Sequence, residues 1–278
     1  MKVFFLGTGS AEGFPALFCH CPLCRKAKER GGKNLRTRSS VLIDDIIKID
    51  LPPDTLCHVL SYPQINLAAL EHLLFTHSHD DHYAVCELQY LSPNFAPSRS
   101  EPLQVWATAA LLEKISRDTS HFFEKAPLQM QPVQPFESVQ VGHLQVTPVT
   151  AHHRPDELCL NFLLTETTGS GAKKTLLYAS DTGWYDEPTW EFLSHQKIDT
   201  VIMECGKGKS NGAYDGHLSI EGVAAARKRL LKDGVIQEKT PFYLTHIAHT
   251  GLLLHEEMEA CVHPLGMQVA HDGLEITL

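Results

Sequence analysis

Seven consecutive residues, Thr76-His77-Ser78-His79-Asp80-Asp81-His82, place three imidazoles and two carboxylates directly behind the apolar run Leu73-Leu74-Phe75. Neutral imidazole and carboxylate at this density form the donor set that a divalent transition metal selects. Residues two apart in an extended segment point the same way, so His77 and His79 can grip one ion. Asp81 and His82 are adjacent, diverge from that pair, and suit a second ion nearby. The apolar run reads as a short buried strand and Tyr83 to Leu91 as helix-compatible, which puts the packet in a strand-to-helix loop.

A softer donor set precedes it in Cys19-His20-Cys21-Pro22-Leu23-Cys24, with the basic, helix-like Arg25 to Arg30 behind. The chain is expected to be cytoplasmic, where its eight cysteines are poor disulfide formers and a cluster reads as metal-binding. Cys19, Cys21 and Cys24 need a fourth ligand to close a structural zinc site; the alternative is a set of reduced thiols packed in a loop. His20 reads as exposed between ligands. Cys57, Cys86, Cys159, Cys205 and Cys261 sit in apolar contexts and read as small buried hydrophobes, Cys205 alone lying at a strand end.

The elements that must carry these groups follow from periodicity. Lys2 to Leu6 reads as a strand running into Gly7-Thr8-Gly9-Ser10-Ala11-Glu12-Gly13. That turn lacks the endings of a nucleotide P-loop and of a dinucleotide fingerprint, so it reads first as structural, with amides facing the active site as the alternative. Ser39 to Ile43 and Ile46 to Asp50 read as a hairpin that leaves Asp50 facing the metals, before Pro52-Pro53 breaks the sheet. Asn66 to His72 reads as a helix, Leu103 to Ala107 as a strand, Ala109 to Ser116 as a helix and Phe122 to Pro135 as irregular. Leu144 to Val149 leads to His152-His153, either of which can point inward. Leu160 to Thr165 and Lys174 to Ala179 form a second hairpin leading to Ser180-Asp181-Thr182. Trp190 to His195 reads as a helix and Thr200 to Glu204 as a strand. Ile220 to Lys232 reads as a helix with Arg227-Lys228-Arg229 on its exposed face, and Phe242 to Leu244 leads to Thr245-His246-Ile247-Ala248-His249. Strand after strand thus ends in a potential ligand, Asp50, His77, His153, Asp181 and His246, which describes mixed sheets with a site built at the strand ends.

No linker, repeat or low-complexity tract interrupts the 278 residues, so a single domain over 1–278 is expected. Hydrophobic content of 43% and charged content of 21% are those of a globular protein. A formal net charge of -9 argues against general nucleic-acid binding, which needs basic surface. The opening Met1 to Gly7 is too short for a signal peptide, and no later run approaches the roughly 20 apolar residues of a membrane span. A homodimer is left open.

The chain resembles the metallo-β-lactamase superfamily, whose His-x-His-x-Asp-His hallmark stands here as His77, His79, Asp81 and His82. The resemblance implies a four-layer αββα sandwich (α/β class) of two mixed sheets with outer helices. It implies that His77, His79 and His153 bind one metal, that Asp81, His82 and His246 bind a second, and that Asp181 bridges. Within the superfamily the chain is similar to PhnP-type phosphodiesterases associated with carbon-phosphorus lyase. Their glycine start, cysteine segment and ending are matched by Gly7-Thr8-Gly9, Cys19/Cys21/Cys24 and Leu244-Thr245-His246-Ile247-Ala248-His249. This implies that His249 completes the structural zinc site and that His217, in Asp215-Gly216-His217-Leu218, protonates a leaving group. The loop Gly206 to Tyr214 and the Leu51-Pro52-Pro53 turn depart from the family pattern, and both are candidates to border the substrate pocket.

Two zinc or manganese ions roughly 3.5–4 Å apart would supply hydroxide at neutral pH and hold phosphate oxygens for in-line attack. The expected activity is hydrolysis of a small anionic phosphodiester, of cyclic ribose phosphate or cyclic nucleotide type, with Asp81 orienting His217 as general acid. Lys207, Lys209 and Tyr214 are weighed as substrate contacts against an ordinary solvated loop. Competing readings are a cofactor-biosynthesis protein similar to PqqB and a lactone or thioester hydrolase, because the fold alone does not settle the function.

Overall fold

The computed structural model describes residues 1–122, 126–210 and 212–278. In chain order the strands are β1 (Lys2–Gly7), β2 (Ser40–Ile43), β3 (Ile47–Ile49), β4 (His72–Leu74), β5 (Leu103–Ala107), β6 (Leu128–Pro132), β7 (Val139–Val141), β8 (Leu144–Thr150), β9 (Leu160–Thr167), β10 (Lys173–Ala179), β11 (Thr200–Glu204), β12 (Phe242–Thr245), β13 (Gln268–Val269) and β14 (Glu275–Thr277). They form two seven-stranded sheets, ordered β14-β1-β2-β3-β4-β5-β6 and β13-β12-β11-β10-β9-β8-β7. The helices are α1 (Pro22–Arg30), α2 (Thr55–Ser61), α3 (Ala109–Asp118), α4 (Glu187–Ser194), α5 (Ile220–Lys232) and α6 (His255–Val262).

The strands are apolar on both faces, because each sheet is covered twice. In β1, Val3 and Phe5 enter the core between the sheets while Phe4 and Leu6 face the outer layer with α3. In β10, Leu176 and Tyr178 enter the same inter-sheet core while Leu177 and Ala179 pack under α4, α5 and α6. The expected four-layer αββα sandwich is therefore the observed architecture. β3 to β6 run parallel, as do β10 to β13. The carboxyl ends of β3, β4, β8, β10, β11 and β12 consequently open on one edge of the sandwich.

Three local expectations are corrected. The segment read as a helix from Asn66 contains only a 3-10 turn over Leu67–Ala69, and His72 already belongs to β4. The region after the histidine packet is a 3-10 helix, Val85–Leu91. The stretch read as irregular from Phe122 to Pro135 falls partly on 123–125, outside the described residues, and its later part is β6. Among the described residues no helix is long and apolar enough to cross a membrane.

The glycine turn braces the site edge. Gly9 bridges both Arg38 and Ile247, and the Ile247 amide donates to the Thr8 carbonyl at 2.8 Å. Arg36, buried, donates to Thr8 Oγ1 and the Ala270 carbonyl, tying the turn to both sheets. At Gly7 a Cβ would lie 2.0 Å from the Arg38 carbonyl oxygen, a backbone atom that cannot step aside. Gly7→Ala is expected to lower unfolding stability in urea by about 1–3 kcal/mol or more, and an unchanged midpoint would show the turn to be slack.

Candidate metal centre

The six strand ends bring the predicted donors together. Asp50, Asp181 and His246, each directly after or just beyond a strand, have φ of 63°, 45° and 56°. That left-handed backbone turns the chain sharply and aims the side chain across the edge of the sheets; it costs roughly 1–3 kcal/mol at a non-glycine residue. The donor atoms of His77, His79, His153 and Asp181 all lie within 4.8 Å of one another, and so do those of Asp81, His82, Asp181 and His246. Asp181 serves both sets. Its Oδ2 is 3.6 Å from His77 Nε2 and 3.5 Å from His153 Nε2, while its Oδ1 is 3.3 Å from His82 Nε2 and 3.0 Å from His246 Nε2.

The hydrogen bonds behind the rings assign their tautomers. Thr76 Oγ1 donates to the Asp50 carboxylate, so it accepts from His77 Nδ1 at 2.9 Å and leaves His77 Nε2 bare. His153 Nδ1 donates to the Gly216 carbonyl at 2.9 Å, leaving its Nε2 bare. Both bare nitrogens approach His79 Nδ1, at 2.9 and 3.0 Å. His82 Nδ1 donates to Asp50 Oδ2 at 2.7 Å, so its Nε2 faces Asp81 Oδ2 at 3.0 Å, in a geometry that makes no hydrogen bond. Each set thus converges bare imidazole nitrogens and carboxylates on a common centre that a cation can occupy. Burial pushes His77 well down, as a neutral ligand requires. Burial opposes charge on His82 as well, but Asp81, Asp181 and Asp50 outweigh it and raise this imidazole. Without an ion the second set thus draws in a proton, which an incoming metal would displace. The donors fit two divalent ions, one in each set.

Asp50 does not face into either set; it stands behind His82 and Thr76 and orients them, a task common behind metal-bound histidines. His153 is the inward histidine of its pair. His152 turns away, with Nδ1 3.3 Å from Asp186 and Nε2 3.6 Å from Asp215, into a neighbouring cavity. The Leu51-Pro52-Pro53 turn is not part of the wall of the cavity at the donor sets; Leu51 pairs with Tyr83 and its amide N–H donates to the His82 carbonyl at 2.9 Å, splicing the packet loop to β3.

His217 lines the same cavity as the donor sets, a space of about 610 Å³, and stacks on His246 with ring centroids 5.2 Å apart. Asp81, expected to orient it, makes no hydrogen bond to it among the described residues; fully buried Glu204 accepts from His217 Nδ1 at 3.0 Å. Burial lowers this imidazole, and the charge and hydrogen bond of Glu204 more than reverse that, lifting it to about 9. Glu204 was missed although it ends β11, and the strand-end recurrence applied to Thr200–Glu204 would have found it. Lys207 is half-buried and lines the cavity with Ser10, Glu12 and Tyr214, whereas Lys209 is exposed outside it. Asn211 of that loop lies outside the described residues. Tyr214 donates its hydroxyl to the His153 carbonyl at 2.5 Å.

Cys19, Cys21, Cys24 and His249 also gather their donor atoms within 4.8 Å. Cys21 caps α1, accepting from the Cys24 amide at 3.3 Å, and its Sγ is 3.8 Å from His249 Nδ1. The Cys24 amide first and His249 second pull the Cys21 thiol down to about 6, the thiolate a metal requires. His20 is exposed, as expected. Cys159 and Cys205 are buried, but Cys57 and Cys86 are exposed and Cys261 half-buried, correcting their reading as core residues. Arg227 is likewise buried and paired with Glu238, because α5 packs closer to that loop than its basic face suggests. Cys21→Ser is expected to remove one zinc per chain and lower the melting temperature together; unchanged zinc content would leave these thiols without a metal role.

A family model described as a beta-lactamase superfamily domain matches residues 41–247. The coenzyme PQQ synthesis protein B of Xanthomonas campestris pv. campestris (strain B100) is 24% identical over 315 residues, covering 100% of both chains. An octanoyltransferase of Porphyromonas gingivalis is 31% identical over 163 residues; the match takes in 55% of this chain and only 31% of that protein. Among solved structures, a diphosphatase from the PhnP family shares the fold at a TM-score of 0.77 and 21% identity, over 100% of this chain and 97% of that one. Zinc-bound PqqB from Methylobacterium extorquens does so at 0.77 and 20%, over 100% of both. The matched span gives the family and the paired sheets its architecture: the chain belongs to the beta-lactamase superfamily and has the metallo-β-lactamase fold.

Proposed function

We propose that this chain is a dinuclear metal-dependent phosphodiesterase acting on small or cyclic phosphodiesters of cyclic ribose phosphate or cyclic nucleotide type. The observation that carries this reading is a buried-carboxylate-backed histidine, Glu204–His217, opening on the same cavity as two complete metal donor sets. Two zinc or manganese ions, held by His77, His79, His153 and by Asp81, His82, His246 with Asp181 between, would lower the pKa of a water from about 15.7 to near 7 and draw charge from phosphoryl oxygens. A third, structural zinc belongs with Cys19, Cys21, Cys24 and His249.

The remaining work falls to the chain itself. Glu204 holds the proton on His217 Nδ1 and favours the imidazolium, so Nε2 is the atom that would hand a proton to the departing alkoxide. Lys207 supplies a cation for the anionic substrate at the cavity wall. Tyr214, its ring 5.5 Å from that of His217, offers a flat wall to a sugar or base. A cavity of about 610 Å³ suits a small molecule rather than a polymer, and the net charge of -9 supports a small diester over a general nucleic-acid partner. The cytoplasm, away from membranes, is the setting we expect.

A second reading, a cofactor-biosynthesis protein like coenzyme PQQ synthesis protein B, is favoured by the full-length match to that relative. The two part on a panel of an aryl phosphodiester, cyclic nucleotides, a cyclic ribose phosphate and a lactone. Metal-dependent turnover of the diesters, abolished by chelator and restored by zinc or manganese, is expected; activity on the lactone alone, or on none, overturns the proposal. His217→Ala should slow diesters with poor leaving groups by about 10²–10⁴-fold at unchanged metal content, while sparing those with good ones. Equal loss on both would remove His217 from the general-acid role.

A further inference from the structure

Lys48, at the centre of β3, is fully buried, and among the described residues it is the only lysine that is. Its neighbours Ile47 and Ile49 enter the inter-sheet core, so strand alternation sends Lys48 to the outer face of the sheet, opposite Leu42. Burial pulls its ammonium down to about 7, with the Asp50 carboxylate opposing. Replacing a buried charge by an apolar side chain is often neutral or stabilising, so stability alone is a weak reason for it to be there.

Its hydrogen bonds give a different reason. The ammonium donates to Ser40 Oγ at 2.6 Å and to the Asp50 carbonyl. Ser40 Oγ donates onward to the Ile49 and Asp50 carbonyls, at 2.7 and 3.1 Å. Asp50 stands at φ 63°, a conformation that persists only where its surroundings over-determine it. The Pro52-Pro53 pair that follows has no N–H to offer that inward-turned carbonyl. On the other side of the same residue, the Asp50 carboxylate accepts from the Thr76 amide at 2.8 Å, from Thr76 Oγ1, and from His82 Nδ1 at 2.7 Å. One residue thus carries a clamp on its peptide and two metal-set histidines on its side chain, His77 through Thr76 and His82 directly.

We propose that Lys48 is a positioning residue of the metal centre: it pins the Asp50 peptide in its left-handed conformation, and Asp50 in turn sets the tautomer and direction of His82 and His77. The inference rests on the metal reading of the two donor sets and is independent of the phosphodiesterase assignment. Supporting groups behind metal ligands typically account for about 10–100-fold in affinity.

The test is cobalt(II) titration of the metal-free full chain against a competing chelator, because histidine–carboxylate and thiolate sites give separate absorption bands. Lys48→Met should weaken the histidine–carboxylate bands' affinity by about 10–100-fold and leave the thiolate band alone. The melting temperature of the metal-free protein should be unchanged or higher. In an Asp50→Asn background Lys48→Met should add little, since the two act in series. Ser40→Ala removes the second donor to the Asp50 carbonyl along with the bonds to Lys48 and the Ile49 carbonyl, but leaves the ammonium on Asp50. It should give a smaller loss of the same kind and carries the test if the methionine variant does not fold. Unchanged affinity, a loss shared with the thiolate band, or full additivity with Asp50→Asn overturns the role of Lys48. Wild-type protein without a histidine–carboxylate cobalt band would instead overturn the metal reading beneath it.

Discussion

Imidazoles and carboxylates crowded within hydrogen-bonding reach of one another at the edge of the two sheets are the constraint on which the rest of this structure depends. His77 and His153 point bare nitrogens at His79 Nδ1, and His82 points its Nε2 at Asp81 and Asp181. Such an arrangement collapses or titrates unless each group is fixed from behind. Thr76, Asp50 and the Gly216 carbonyl do that fixing, with Thr76 and Asp50 holding each other at the ends of β4 and β3. Charge in the basin is what makes the family chemistry available, and the braces are what make the charge tolerable.

The braces come from both sheets. The glycine turn after β1 locks onto Ile247, next to His246. The thiol cluster reaches the same segment through His249, whose Nε2 is 3.6 Å from Glu12 on the wall of the reaction cavity. Leu51 joins β3 to the packet loop, and Lys48 lies beneath the residue that directs two of its histidines. Left-handed backbone at Asp50, Asp181 and His246 is the conformational cost of turning the chain so abruptly, roughly 1–3 kcal/mol apiece. Two extensively buried sheets can carry that cost because they are packed with apolar side chains on both faces.

The comparison relatives sharpen what a shared fold leaves undecided. A PhnP-family diphosphatase and PqqB superimpose equally well, at a TM-score of 0.77, so the sandwich does not choose between them. The choice lies in the groups that face the cavity without belonging to a donor set: His217 with Glu204 behind it, Lys207, Tyr214 and Glu12. Glu12 lies in the turn after β1, Glu204 ends β11, and Lys207, Tyr214 and His217 follow it before α5.

The sequence alone determined which donors exist and in what order they arrive, because imidazole, thiolate and carboxylate chemistry is carried by residue type. It also determined the strands that deliver them, because alternation and apolar runs are local. It misjudged segments where neither signal is strong, such as the 3-10 turn over Leu67–Ala69 and β6, which is held by pairing with β5 rather than by its own pattern. Only the tertiary structure decided that His153 and not His152 turns inward, that Asp50 supports the ligands instead of joining them, that Glu204 rather than Asp81 holds His217, and that a lysine lies buried beneath Asp50. Each of these depends on the direction a side chain takes as it leaves a strand. That direction is set here by left-handed backbone at non-glycine residues and by partners far away in the chain, neither of which residue spacing records.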